Sequence, residues 1–161
     1  MAVDYFLNLG TVEGESADHK HKGEIDLQSW SFGATNAGSF SMGGGGGAGK
    51  VSMQDFHFVM RTSKASPKLM LACATGEHIK KAVLVSRKAG TEQQEFLKVT
   101  MSDVLVSSYQ TGGSANGGDF STDQISLNFA KIEVEYKEQK PDGSLGGAIK
   151  AGYDVKANKK V

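Results

Sequence analysis

Gln124-Ile125-Ser126-Leu127-Asn128-Phe129-Ala130-Lys131-Ile132-Glu133-Val134-Glu135-Tyr136 decides the fold of this chain. Apolar and polar residues alternate through it, the period-two signature of a strand with one face buried. The alternation slips once. Ile125, Leu127 and Phe129 share one parity, Ile132, Val134 and Tyr136 the other, with Ala130-Lys131 at the switch. A one-residue slip moves the buried set to the opposite face, so a strand that carries one must bulge or bend sharply.

The same slip occurs twice upstream. In the strand 24–32, Ile25 and Leu27 give way to Trp30 and Phe32. In 51–60, Val51 and Met53 give way to Phe56, Phe58 and Met60, with the shift near Asp55. Three strands that exchange their buried face midway predict a sheet folding over on itself, as a barrel or an orthogonal sandwich does at its corners. Parity alone leaves open the competing reading, strands buried on both faces.

Further strands are predicted at 2–9, 81–87, 95–101, 104–109 and 149–155, with turns at 112–118 and 141–147. One helix is predicted over 66–75. Ser66 suits an N-cap, Pro67 the first turn and Gly76 a left-handed C-cap, while Leu69, Met70 and Cys73 form the stripe expected to face the sheet. The tail 156–161 reads as basic and frayed. The expected class is all-β, a β-barrel of two sheets with one short flanking α-helix. Residues 1–161 read as a single domain, with no internal repeat.

Composition narrows the function. Eighteen basic and eighteen acidic side chains cancel, which gives no general attraction to nucleic acid or to a membrane surface and little repulsion between copies. The single cysteine, Cys73, forms no intrachain disulfide and reads as a small core residue. No segment approaches the ~20 apolar residues that a spanning helix needs. The start, with Asp4 and no basic cluster, does not read as a secretory signal, so export would require a separate machine.

Glycine is in excess, 21 residues or roughly twice the usual share, and it is concentrated in the connection 33–50. There Phe40 and Met42 precede Gly43, Gly44, Gly45, Gly46 and Gly47, then Ala48, Gly49 and Lys50. Gly44, Gly49 and Lys50 mimic a phosphate loop. However, Val51 stands where a magnesium-binding hydroxyl is required, and a strand follows where a helix is required. Eighteen residues of connection are long for a compact domain. As a two-legged excursion they could project ~20–25 Å, with Phe40 and Met42 as apolar anchors. An arm that reaches a neighbouring subunit and a floppy hairpin tip both fit these residues.

Catalytic chemistry finds little support. His19 and His21 lie in a charged loop and read as surface residues, since a lone pair falls short of four zinc ligands. His57, between Phe56 and Phe58, is expected to point away from the core. No nucleophile elbow occurs, and no carboxylate pair stands out. The chain is therefore not expected to be an enzyme, and no metal or cofactor is expected.

The whole chain resembles the haemolysin-coregulated protein (Hcp) family, the tail-tube subunit of bacterial type VI secretion systems. The likeness is carried by Met1-Ala2-Val3-Asp4 with Phe6 and Gly10, by Glu24-Ile25-Asp26 through Trp30-Ser31, and by Ser41-Met42 with the 43–50 run. Leu127 to Tyr136 extends it, and 67–76, Arg87-Lys88-Ala89-Gly90 and Gly152-Tyr153 fall in register. The resemblance implies a homohexameric ring, rings stacked into a hollow tube, and a long loop that touches the adjacent ring. It further implies a spike protein at the tip, a contractile sheath outside, and small effectors carried and chaperoned in the lumen, with Ser31 as the candidate lumen-facing residue. The subunit would be cytoplasmic during assembly and then secreted through the apparatus. The alternative is a soluble secreted β-barrel binding module that does not assemble into tubes.

Overall fold

The strand read from 124–136 runs as one long ladder element that bends where its parity slips. The computed structural model describes residues 2–37, 50–88, 93–116, 118 and 120–161. Among them the order is β1 Val3–Asn8, β2 Ile25–Leu27, β3 Ser29–Ser31, β4 Ala34–Asn36, β5 Val51–Met53, β6 Phe56–Arg61, α1 Ala65–Thr75, β7 Ile79–Lys88, β8 Gln94–Gly112, β9 Thr122–Gln139, β10 Leu145–Asp154 and β11 Lys159–Lys160. All strand pairs are antiparallel.

β8 and β9 turn the corner together. Met101 pairs with Ile132 and Val104 with Phe129, and all four are buried. Between them Asp103 and Ala130 make no ladder pair, and Asp103 takes a left-handed backbone (φ +53°). The predicted strands 95–101 and 104–109 are therefore one strand with a bend. On one side of the bend, the sheet runs β11-β10-β9-β8-β7-β1-β2. On the other, β9 exchanges β10 for β6, giving β3-β6-β9-β8. The other two slips fall at Gln28, between β2 and β3, and at Gln54-Asp55, between β5 and β6. Among the described residues the ladder does not close: β2 pairs with β1 and β3 with β6, and the bent segment 25–31 joins the two halves through the chain.

The core fills the space between the two halves. Trp30 stacks on Phe56 at 5.8 Å between ring centroids and meets Tyr5 edge-on at 6.3 Å, while Phe56, Phe58, Leu127, Val106 and Ile125 are buried around it. α1 packs on β8 through Ala65, Ser66, Leu69 and Ala72. The expected stripe of Leu69, Met70 and Cys73 is thus corrected at one position: Leu69 is buried and Cys73, half-buried, packs against the core, but Met70 faces solvent. The buried set 65, 66, 69 and 72 defines the packed stripe, and Met70, about 100° around the helix from Leu69, lies off it. Lys64, not Ser66, occupies the N-cap. Gly76 ends the helix at φ +67°, as read from the sequence. The tail is not frayed. β11 pairs with β10, and the Val161 amide donates to the Gly152 carbonyl.

Ser66 has a different task. Its hydroxyl donates to Asp123, a wholly buried carboxylate on β9 that also accepts from Thr62 Oγ1 (2.8 Å), Thr111 Oγ1 (2.7 Å) and Tyr109 OH (3.3 Å). Burial, then the nearby Asp123 charge, pushes the Tyr109 phenol above its ordinary value. Four hydroxyls from the segment before the helix, the helix and β8 meet on one carboxylate, which suits the rule that buried charge must be hydrogen-bonded. Replacing Asp123 by Ala removes the acceptor that all four share, orphans the buried Ser66 hydroxyl, and is expected to cost about 3 kcal/mol. Urea denaturation of the purified variant checks this, and a loss below about 1 kcal/mol would show that the cluster is not a structural tie.

Candidate functional site

The half-sheet β3-β6-β9-β8 has two unlike faces. Inward, Trp30, Phe58, Ile125 and Tyr109 lie in register across its four strands. Outward, the neighbouring rung is Ser31, His57, Ser126 and Ser108. A further rung is Ser29, Val59, Gln124 and Gln110. These outward residues are exposed or half-buried and mostly small and neutral. His57 Nδ1 lies 3.2 Å from Ser126 Oγ. Asp55, beside this row, accepts from Ser107 Oγ (2.6 Å) and Asn128 Nδ2 (3.0 Å). Ser107 is the extra residue of a β8 bulge, between Val106↔Leu127 and Ser108↔Ser126. Ser31 and His57 therefore lie on the face opposite the core, as their parity predicts, and the fold sets them side by side on one polar wall. Ser126, Ser108, Gln124 and Gln110 join them. Sequence reasoning passed over those four, although each alternates with a core residue and parity alone could have found them.

This half-sheet also has two edges without a ladder partner among the described residues: β3, and the C-terminal part of β8 beyond Val104. Beside it β4 and β5 form a separate two-stranded sheet, with Ala34, Thr35 and Asn36 paired to Met53, Ser52 and Val51. This hairpin is the base of the 33–50 connection, so its two legs run together. Lys50 is exposed, immediately before β5. Phe40, Met42, Gly43, Gly44, Gly45, Gly46, Gly47, Ala48 and Gly49 lie outside the described residues.

A charged cluster covers the outer face of β1 and β7. Phe6 is sandwiched between His21, stacked at 4.4 Å, and the Arg87 guanidinium, 4.7 Å from the ring centroid. His21 Nδ1 lies 2.9 Å from Glu24 Oε1 and its Nε2 2.8 Å from Glu95 Oε1. Arg87 donates to both Asp18 oxygens, at 3.0 and 2.6 Å, and to Asp4 at 3.3 Å. His21 is thus buried, correcting its reading as a surface residue: the 11–24 loop folds back over the sheet and carries the ring onto Phe6. Gly14 permits this approach, since a Cβ there would meet the Glu24 carbonyl oxygen at 2.5 Å. The Arg87 hydrogen bond holds the Asp18 carboxyl well below the usual carboxylate range. No cluster of three metal-ligating side chains occurs among the described residues. The wall can bind by hydrogen bonding, and the edges by strand pairing.

Comparison with known proteins agrees in extent and in fold. The sequence model of the family described as "Type VI secretion system effector, Hcp" matches residues 6–136. The chain is 49% identical over 160 residues to "Protein hcp1" of Pseudomonas aeruginosa, covering 98% of each. Among solved structures, one titled "Structure of a type six secretion system protein" superposes with a TM-score of 0.94 at 30% identity, over 99% of this chain and 100% of the other. The crystal structure of Hcp1 from Salmonella typhimurium gives 0.82 at 37% identity, over the whole of both chains.

Two expectations follow from this geometry. Ser31→Asn, on the outward wall, should change stability by no more than about 0.5 kcal/mol, whereas Phe58→Ala, one strand away but inward, should cost about 3–5 kcal/mol. Equal losses in urea unfolding would contradict the two-faced assignment. Asp18 has a folded-state value below its unfolded one. Its stabilisation is therefore full above the ordinary carboxylate value of about 4 and is lost as pH falls through the lower, folded-state value. The stability gap between wild type and Asp18→Asn should be flat from neutral pH down to about 5 and shrink through pH 4 and below. Denaturation across that pH series measures the gap, and one that widened in acid would refute the assignment.

Proposed function

Since the chain belongs to the Hcp family of the type VI secretion system, we propose that it is a tail-tube subunit: six copies form a ring, and rings stack into a hollow tube. The β3-β6-β9-β8 half-sheet carries this reading. It buries one face, presents small polar side chains on the other, and has an edge at each end without a ladder partner among the described residues. Unpaired edges are templates for another chain. Joining the β3 edge of one copy to the β8 edge of the next is a heterologous contact, and a closing rotation turns such contacts into a ring. The polar wall would then line the lumen, with Ser31 in it, and small effector proteins would be carried and chaperoned there. A wall of hydroxyls and amides solvates passing cargo without gripping it.

Two further features favour assembly. Tyr136 and Ile149, paired across β9 and β10, are 45% and 71% exposed on the sheet face that elsewhere holds the core. A neighbouring copy would cover them. With β4 and β5 paired as its two legs, the 33–50 segment would serve as an arm that reaches the next ring with Phe40, Met42 and the 43–49 run. A spike protein at the tip and a contractile sheath outside complete the proposed partners, and the subunit leaves the cell with the tube. None of this requires an enzymatic step.

Electron microscopy of the purified protein should show uniform six-fold rings, and a monodisperse monomer at high concentration would favour the unassembled binding module instead. Deleting 43–47 should leave the circular dichroism spectrum and rings intact while abolishing stacked rings and secretion. Stacks that survive the deletion would remove the arm from the proposal.

A further inference from the structure

Away from the polar wall, two apolar surfaces on unlike elements stand uncovered. The first is α1, whose eleven residues include a single charge, Lys68. Ala65, Ser66, Leu69 and Ala72 are buried on its packed side. The opposite stripe, at helical spacing, is Pro67, Met70, Leu71 and Ala74, all exposed, with Met70 at 54% and Leu71 at 58%. A helix that is apolar on both sides is suited to burial on both. The second surface is the β9–β10 end of the sheet face that elsewhere holds the core. There Ile149 and Ala151, both exposed, pair with Tyr136 and Val134. We infer that the outer stripe of α1 docks on the β9–β10 face of the next copy, so that each joint of the ring is helix-on-sheet as well as strand-on-strand.

Sheet order sets these two surfaces on opposite flanks. β8 pairs along one edge of β9, so β10 and β6 both lie on its other edge, on the two sides of the bend. The flank that ends at the β3 edge is therefore also the flank of Tyr136 and Ile149. α1 belongs to the β8 flank. It packs on β8, and its Ser66 shares Asp123 with Tyr109 and Thr111, in the part of β8 whose edge has no partner among the described residues. The inference rests on the ring reading, in which the β8 edge of one copy joins the β3 edge of the next. That joint brings the helix flank of one subunit against the β9–β10 flank of its neighbour. The two patches differ, so the contact is heterologous and repeats around a closed ring. Met70, Leu71, Tyr136 and Ile149 supply the apolar area. Ala74 and Ala151 carry nothing beyond Cβ, which lets the helix approach the sheet.

Cross-linking tests the contact directly. Leu71→Cys and Ile149→Cys are combined in a Cys73→Ala background, treated with a short bismaleimide and run on a denaturing gel beside each single variant. The pair should give a ladder of covalent multimers that ends at the hexamer, and each single variant should stay monomeric. Dimers from Leu71→Cys alone would show that α1 meets α1 and overturn the inference. Rings in microscopy without a ladder from the pair would overturn it too, and leave the tube reading standing. A ladder without rings would keep the helix-on-sheet contact and remove the ring, whereas neither rings nor ladder removes both. Leu71→Asp gives a second readout. At this exposed position it should leave the circular dichroism spectrum unchanged and raise the concentration at which rings dissociate about tenfold or more. Rings of Leu71→Asp as stable as wild type would contradict the docking.

Discussion

The bend shared by β8 and β9 is the constraint on which the rest of the molecule depends. A long antiparallel pair can bury only one face in a flat sheet, and here it buries opposite faces on the two sides of Asp103 and Ala130. That exchange places Met101 and Ile132 in the core together with Val104 and Phe129. It also lets β9 pair with β10 below the bend and with β6 above it. The left-handed backbone at Asp103 is the local strain that the turn demands, and such strain persists where surrounding contacts over-determine it.

From that bend comes the division of labour between faces. The half-sheet beyond it has an aromatic interior, anchored by Trp30, and an exterior of serines, glutamines and one histidine. Asp123 ties the same region to α1 and to the segment preceding it, so a buried carboxylate, unusual in a core, acts as the peg that several hydroxyls share. The 11–24 loop is clamped separately, by Arg87 and His21 on either side of Phe6.

Much of this was legible in the chain because parity is a direct consequence of pleating. Three slips, at 28, 54–55 and 130–131, marked the corners, and the alternation of His57 with Phe56 and Phe58 placed it outward. Gly76 declared the helix end, since few other residues take a left-handed backbone without strain. The errors have a common origin. Spacing alone places Met70 inward, but the face that packs on the distant strand β8 is the one carrying Ala65, Ser66, Leu69 and Ala72. Local polarity places His21 outward, but its own loop folds back and lays the ring against Phe6 of β1 and Glu95 of β8. Each depended on a neighbour remote in sequence.

The sequence by itself determined the class of fold, the corners and the identity of each face, because those follow from the side-chain order along single strands. The tertiary structure alone decided which strands stand side by side. Only pairing at long range sets Ser31, His57, Ser126 and Ser108 in one row, brings four hydroxyls onto Asp123, and leaves the β3 and β8 edges unmatched among the described residues. The reason is that register between distant segments is fixed by the joint packing of both faces, and no local pattern encodes it.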